Sequence, residues 1–157
     1  MKRARGFTLI ELMVALAIVG MIATVAVPAL RSRSGARATA QQLASIYEAA
    51  REAAIARGTS ADVLLDLPNG VYYVVTEARP GRPADTIRKG QLGLPGGARL
   101  ASQPTRALHP VVDGRVVTTF DALGRARGAD VVVADDRGRH AVVVTDPWTG
   151  ASRVQAP

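Results

Sequence analysis

The chain of 157 residues contains no cysteine, which excludes disulfide staples, thiol catalysis and cysteine metal sites. Histidine is nearly as scarce. His109 stands beside Pro110, and His140 opens a β-rich run, with no carboxylate at ligand spacing on a shared helix, so no zinc site is expected. Asp135 and Asp136 lack the further oxygen donors that a calcium ion needs and read as a turn. Aromatic residues make up only 4%. The glycines at 90–97 do not form a phosphate loop, because Lys89 precedes Gly90 and no Gly-Lys-Ser/Thr follows. No serine or cysteine triad is legible. These absences together point away from an enzyme, and neither a metal nor a cofactor is expected.

Lysine is also rare, Lys2 and Lys89 being the only two, so the basic balance is carried by arginine. Of the net +7, Lys2, Arg3 and Arg5 contribute three charges ahead of the first apolar run. What remains does not by itself call for a nucleic-acid partner.

What the sequence does have is one long greasy segment near its start. Residues 7–30, FTLIELMVALAIVGMIATVAVPAL, contain a single charge, Glu11, over a length that can cross a bilayer core of about 30 Å as a helix. Three readings fit such a run. A cleaved secretory signal would have small residues such as Ala26 and Ala29 near the cut, but Glu11 interrupts its apolar region and the run exceeds the roughly 7 to 15 residues it needs. A plain anchor would tolerate Glu11 near the interface, since an acidic residue costs about 2.5–3.5 kcal/mol even at mid-membrane. The third reading rests on a motif. Gly6-Phe7-Thr8-Leu9-Ile10-Glu11-Leu12-Met13, after a short basic leader and before an apolar helix with Pro28, closely resembles the class III signal of type IV pilins and type II secretion pseudopilins.

That resemblance implies cleavage after Gly6 by a prepilin peptidase and N-methylation of Phe7. The cut would leave an amine at Phe7 and a carboxylate at Glu11, one helical turn apart or shared with a neighbouring subunit. In a low-dielectric helix bundle a paired charge is far cheaper than a lone one, so Glu11 is expected to act as a register device in filament assembly. Pro28, which lacks an N–H and crowds the preceding turn, is expected to kink the helix.

Beyond Ser32-Arg33-Ser34-Gly35 the pattern becomes amphipathic. Leu43, Ile46, Tyr47, Ala50 and Ala54 fall on one helical face, and Arg57 with Gly58 closes the helix. Residues 61–67 and 71–76 flank Pro68-Asn69-Gly70 and read as a hairpin. Further strands are expected at 116–120, 130–134 and 139–145, the last two joined by a turn at Asp135-Asp136-Arg137-Gly138. The Gly- and Pro-rich residues 78–97 read as a long loop, and Trp148, Tyr72 and Tyr73 read as core by default, with interface anchors the alternative. The expected fold is α+β, a long N-terminal helix packed on an antiparallel β-sheet or small β-sandwich. Its parts are a leader at 1–6, an apolar helix at 7–30, an amphipathic helix at 31–58 and a β-rich domain at 59–157.

Two later stretches narrow the resemblance. QQLASIYEAAREAAIARGTSADVLLDL and the run VTTFDALG at 117–124 look like the helix, first strand and Phe-x-x-x-Gly element of H-type minor pseudopilins and the related FimT-like minor pilins. Phe120 would enter the core and the following turn would close at Gly124. The resemblance implies a subunit near the tip of a periplasmic pseudopilus that exports folded proteins. It would be held in the inner membrane by a single pass, with its N-terminus cytoplasmic and its globular domain periplasmic. Its implied partners are the major pseudopilin, other minor pseudopilins, prepilin peptidase and the inner-membrane assembly platform. The alternative within the resemblance is a type IV pilus subunit that contacts DNA phosphates through Arg125, Arg127 and Arg153, although the tail lacks a Gly-Arg-x-Arg ending.

Overall fold

The computed structural model describes residues 9–32, 35–81, 83–94, 97–103 and 114–155, so Gly6 and Phe7 lie outside the described residues. The chain divides into two compact units, Met1–Ser34 and Gly35–Pro157. The first contains helix α1, Leu9–Ser32, rich in Ala and Leu, with Glu11 in the first turn where a negative charge complements the helix dipole. Helical backbone continues through Pro28 to Ser32, so the proline does not end the helix.

The second unit begins with α2, Gly35–Arg57. Its buried positions, Ala36, Thr39, Ala40, Leu43, Ile46, Tyr47, Ala50 and Ala54, recur at three- and four-residue spacing and make one apolar face. Arg57 occupies the last turn, and the N–H groups of Gly58 and Thr59 bond back to the carbonyls of Ile55 and Ala54, both at 3.1 Å.

Two antiparallel sheets follow. The first has five strands in the order β3-β2-β1-β5-β6: β1 Ala61–Asp66, β2 Val71–Thr76, β3 Asp85–Gln91, β5 Arg115–Phe120 and β6 Ala126–Arg127. The second has four in the order β4-β7-β8-β9: β4 Arg99–Gln103, β7 Asp130–Ala134, β8 His140–Thr145 and β9 Ser152–Gln155. Burial alternates along β1, β5 and β7, as expected of strands with one face covered. That cover is α2, which packs on β1 and β5 of one sheet and on β7, β8 and β9 of the other.

Between them lies an aliphatic core of Leu43, Ile46, Val63, Leu65, Val74, Val131, Val133 and Val143. Tyr47 and Phe120 cross edge to face within it, ring centroids 5.9 Å apart. The Thr118 hydroxyl donates to the Tyr47 oxygen at 3.2 Å, which accommodates the polar tip of a tyrosine that is 1% exposed. Burial raises the Tyr47 hydroxyl to about 12, the Thr118 bond pulling it down and the Asp130 charge pushing it further up.

The hairpin at Asn69-Gly70 and the turn at 135–138 form where the sequence places them. Residues 78–97 do not form one long loop. They contain β3, which pairs along β2 from Val71 opposite Gln91 to Thr76 opposite Asp85, with a bulge between Val74 and Val75. Its residues, DTIRKGQ, carry almost no apolar alternation because the strand is an exposed sheet edge whose Arg88 and Lys89 discourage further pairing. Gly90 is required there: a Cβ would lie 2.8 Å from the Tyr72 hydroxyl that packs across it. Tyr72 is buried as expected, but Tyr73 points to the opposite face of the pleat and is 45% exposed.

Candidate functional site

The described side chains of α1, residues 9–21, are exposed throughout. Leu9, Ile10, Leu12, Met13, Val14, Leu16, Ile18, Val19 and Met21 step around the helix at about 100° per residue, so the exposed apolar surface covers every side. A helix apolar all round takes its cover from lipid or from other helices. Among the described residues no helix is long and apolar enough to cross a membrane. Glu11 lies in the first turn of α1 with its side chain exposed.

A second feature is built in the globular unit, where two loops meet. The β5–β6 loop is clamped by Asp121, whose carboxylate accepts the N–H groups of Leu123 and Arg125, both at 2.9 Å, and Arg125 Nε at 2.7 Å. Phe120 enters the core and the Gly124 N–H bonds the Asp121 carbonyl at 2.8 Å, closing the turn as the sequence suggests. The β8–β9 loop is clamped by Asp146, which accepts the N–H groups of Trp148 and Thr149, both at 2.9 Å. The two loops are stitched together by the Ala126 N–H to the Pro147 carbonyl at 3.1 Å, and α2 joins them through Arg51 Nε to the Thr149 carbonyl at 2.8 Å. Gly150 sits so close to Gly124 that a Cβ there would lie 2.0 Å from the Gly124 carbonyl oxygen.

Between these loops runs a groove of about 470 Å³ lined by Ser60, Thr119, Asp121, Arg125, Ala126, Arg127, Pro147 and Trp148. Trp148 is not a core residue, as its ring is 78% exposed. The clamp explains this: with Asp146 and Gly150 fixing the loop backbone, the indole projects from the surface instead of folding inward. Of the three arginines named as candidate DNA contacts, Arg125 and Arg127 share the groove, while Arg153 stands on β9 with its charge acting on Asp146.

Electrostatics tighten both clamps. Burial pushes the Asp121 carboxyl up, but the N–H groups of Arg125 and Leu123 and the Arg125 guanidinium outweigh it and hold the group below the ordinary carboxylate range. Asp146 is lowered by the N–H groups of Thr149 and Trp148, against a smaller effect of burial. The β7–β8 turn repeats the first clamp: Asp135 takes the N–H groups of Arg137 and Arg139, both at 3.0 Å, and Arg139 Nε at 2.7 Å. The signal for these clamps was legible and missed, since Asp-x-x-Gly-Arg occurs twice, at 121–125 and 135–139. Among the described residues no three His, Cys, Asp or Glu side chains are grouped to hold a metal ion.

Comparison with known proteins places these features in a family. A family model described as the prokaryotic N-terminal methylation motif matches residues 1–27. A second, the type II transport protein GspH, matches residues 39–150. A search of curated protein sequences finds no match. The fold is similar to that of EpsH, the minor pseudopilin of the type 2 secretion system of Vibrio cholerae, with a TM-score of 0.58 and 14% identity over 78% of this chain and 98% of that one. It is equally similar to the type IV minor pilin FimU of Pseudomonas aeruginosa, with a TM-score of 0.57 and 14% identity over 82% of this chain and 92% of that one. The second match spans most of α2 and every strand except β9, well over half of the chain, and with the N-terminal motif ahead of it the chain belongs to the type II transport protein GspH family.

Proposed function

We propose that the protein is a minor pseudopilin of a type II secretion pseudopilus, a structural and adaptor subunit rather than an enzyme, acting near the filament tip in the export of folded proteins. One observation carries the reading: a GspH-family globular unit follows a helix whose described side chains, Glu11 apart, are apolar and exposed on every side. Such a helix needs a bilayer before assembly and neighbouring helices after it. On this reading residues 7–30 anchor the subunit in the inner membrane with the globular unit in the periplasm. Prepilin peptidase cuts between Gly6 and Phe7, and Glu11 pairs with the methylated amine of a neighbouring subunit.

The N-terminal mass of the membrane-extracted protein tests this directly. A start at Phe7 carrying one extra methyl, dependent on prepilin peptidase, is expected. A start at Met1, or one near Ala29, would remove the filament model. Glu11→Ala should leave insertion and cleavage intact but weaken co-assembly with the major pseudopilin.

A second reading, a FimT-like minor pilin of a type IV pilus that contacts DNA, is favoured by the presence of Arg125 and Arg127 in one groove. On that reading affinity for DNA falls steeply with salt and with Arg125→Ala and Arg127→Ala. Deleting the gene separates the two: loss of exoprotein release supports the secretion reading, and loss of pilus function or DNA uptake supports the other.

A further inference from the structure

The groove beside Trp148 has properties that the filament reading does not use. Its charge is nearly balanced. Asp121 and Arg125 neutralise one another at 2.7 Å, which leaves Arg127, exposed on the two-residue edge strand β6, as the groove's one cation without a carboxylate in an ion pair among the described residues. A polyanion such as nucleic acid binds by spreading contacts over several cations. One available guanidinium beside the hydroxyl of Ser60 instead suits one carboxylate, which arginine grips in bidentate fashion, while the Thr119 hydroxyl is already donated to Asp62 at 2.7 Å.

The second property is an exposed aromatic on a pinned backbone. Tryptophan is a frequent carrier of binding energy, and a fixed backbone lowers the ordering cost of contact. Trp148 stands on a loop pinned through its own N–H, through the Gly150 N–H to the Asp146 carbonyl at 2.8 Å, and through Arg51. Pro147 lies beside it and extends the apolar wall.

The third property is continuity. Thr119 faces outward from the first sheet, as does Val117 two residues earlier, and Val117 lies opposite Leu64, which lies opposite Tyr73. Val117 and Tyr73 are 41% and 45% exposed. An occupant of the groove can therefore continue along an apolar row across the sheet.

We infer that the groove between the β5–β6 and β8–β9 loops is a docking site for an extended, acidic and proline- or leucine-bearing segment of a protein partner. Its carboxylate pairs with Arg127, and its apolar residues lie on Trp148 and Pro147. This deepens the adaptor role proposed above but does not require the filament to be a secretion pseudopilus.

The chain's single tryptophan makes the test direct, because tryptophan emission, excited at wavelengths the three tyrosines do not absorb, reports on this groove alone. The full-length protein in detergent is titrated with three probes: a capped octapeptide of alternating Glu and Pro or Leu, its Gln counterpart, and a thymidine oligonucleotide. The acidic peptide is expected to give a saturable change in Trp148 emission, at least tenfold weaker for the Gln peptide and for Arg127→Gln. Arg99→Gln, on the far sheet edge, should leave affinity unchanged, and an unaltered melting temperature shows that Arg127→Gln still folds. No saturable response, an equal response to the Gln peptide, or tighter binding of the oligonucleotide would overturn the inference. The outcome is independent of the N-terminal mass, so either proposal can fail alone.

Discussion

The two helices have nearly equal lengths, 24 and 23 residues, and treat their apolar side chains in opposite ways. In α2 the large apolar residues other than Ile55 keep to one face, and that face is buried by strands of the same chain. In α1 they occupy every face, and from 9 to 21 all are exposed. The hydrophobic effect makes no exception for α1, whose exposed apolar side chains call for cover by lipid or by other helices. On the proposed reading one helix serves folding and the other serves assembly. Substitutions in the two should be felt in different measurements.

The largest expected effect tests that division. Phe120→Ala removes a fully buried ring from against Tyr47 and should cost about 3–5 kcal/mol in denaturant unfolding of the globular unit. Leu12→Ala removes an equally apolar group that is 58% exposed and should change the same unfolding by less than about 0.5 kcal/mol. A comparable loss from Leu12→Ala would mean that α1 contributes to the globular fold, and the contrast would collapse.

Next comes the junction of the two loops. Gly150 has φ near 65°, and a Cβ there would meet the Gly124 carbonyl at 2.0 Å, so Gly150→Ala combines backbone strain with a clash. Together these should cost about 2–4 kcal/mol. Because Trp148 is two residues away, its emission should change even in the folded variant. Preserved emission and stability would show that the loops are not locked together, which would weaken the case for a rigid groove.

How much of this was readable beforehand follows the same division. The motif from Gly6 to Glu11, the buried face of α2 and the hairpin at Asn69-Gly70 are local patterns, and local patterns survive in sequence. The edge strand β3 was read as loop because an edge needs charge and small residues, which in sequence look like a loop. Strands β4, β6 and β9 were not anticipated; β6 is only two residues long, and β9 alternates without a buried position. The groove is assembled from residues near 60, 120 and 147, so no window of sequence contains it. Trp148 was read as core by the average habit of its type. The Asp146 clamp that turns it outward was visible only in the geometry.

The core and the surface of the globular unit should also separate by pH. Tyr47, raised to about 12 chiefly by burial, binds its proton more tightly when folded than when unfolded near 10. The stability it contributes is complete below pH 10 and is lost as pH rises toward 12, by roughly 2–3 kcal/mol. Tyr47→Phe should remove much of this alkaline dependence. It should also cost about 1–2 kcal/mol at neutral pH by leaving the Thr118 hydroxyl without its partner. A melting temperature that falls as steeply above pH 10 in the phenylalanine variant would assign the alkaline limb to other groups.

The smallest expected effect belongs to the surface clamps. Asp66 is lowered by the Asn69 side chain and N–H, Asp146 by the N–H groups of Thr149 and Trp148, and in Asp121 and Asp135 bonds from arginine outweigh the opposing effect of burial. All four folded values lie below the unfolded one near 3.9, so the folded state holds fewer protons and gains stability above about pH 4. That gain is lost as pH falls through the folded values. The melting temperature should stay level from about pH 5 to 8 and decline below 4. Asp135→Asn should lower the plateau slightly, because an amide oxygen still accepts the N–H groups of Arg137 and Arg139 while the ion pair at 2.6 Å is lost. It should also flatten the acid decline. An unchanged plateau together with an unchanged decline would show that this clamp orders its turn without stabilising the fold, and would set the β7–β8 turn apart from the two loops that frame Trp148.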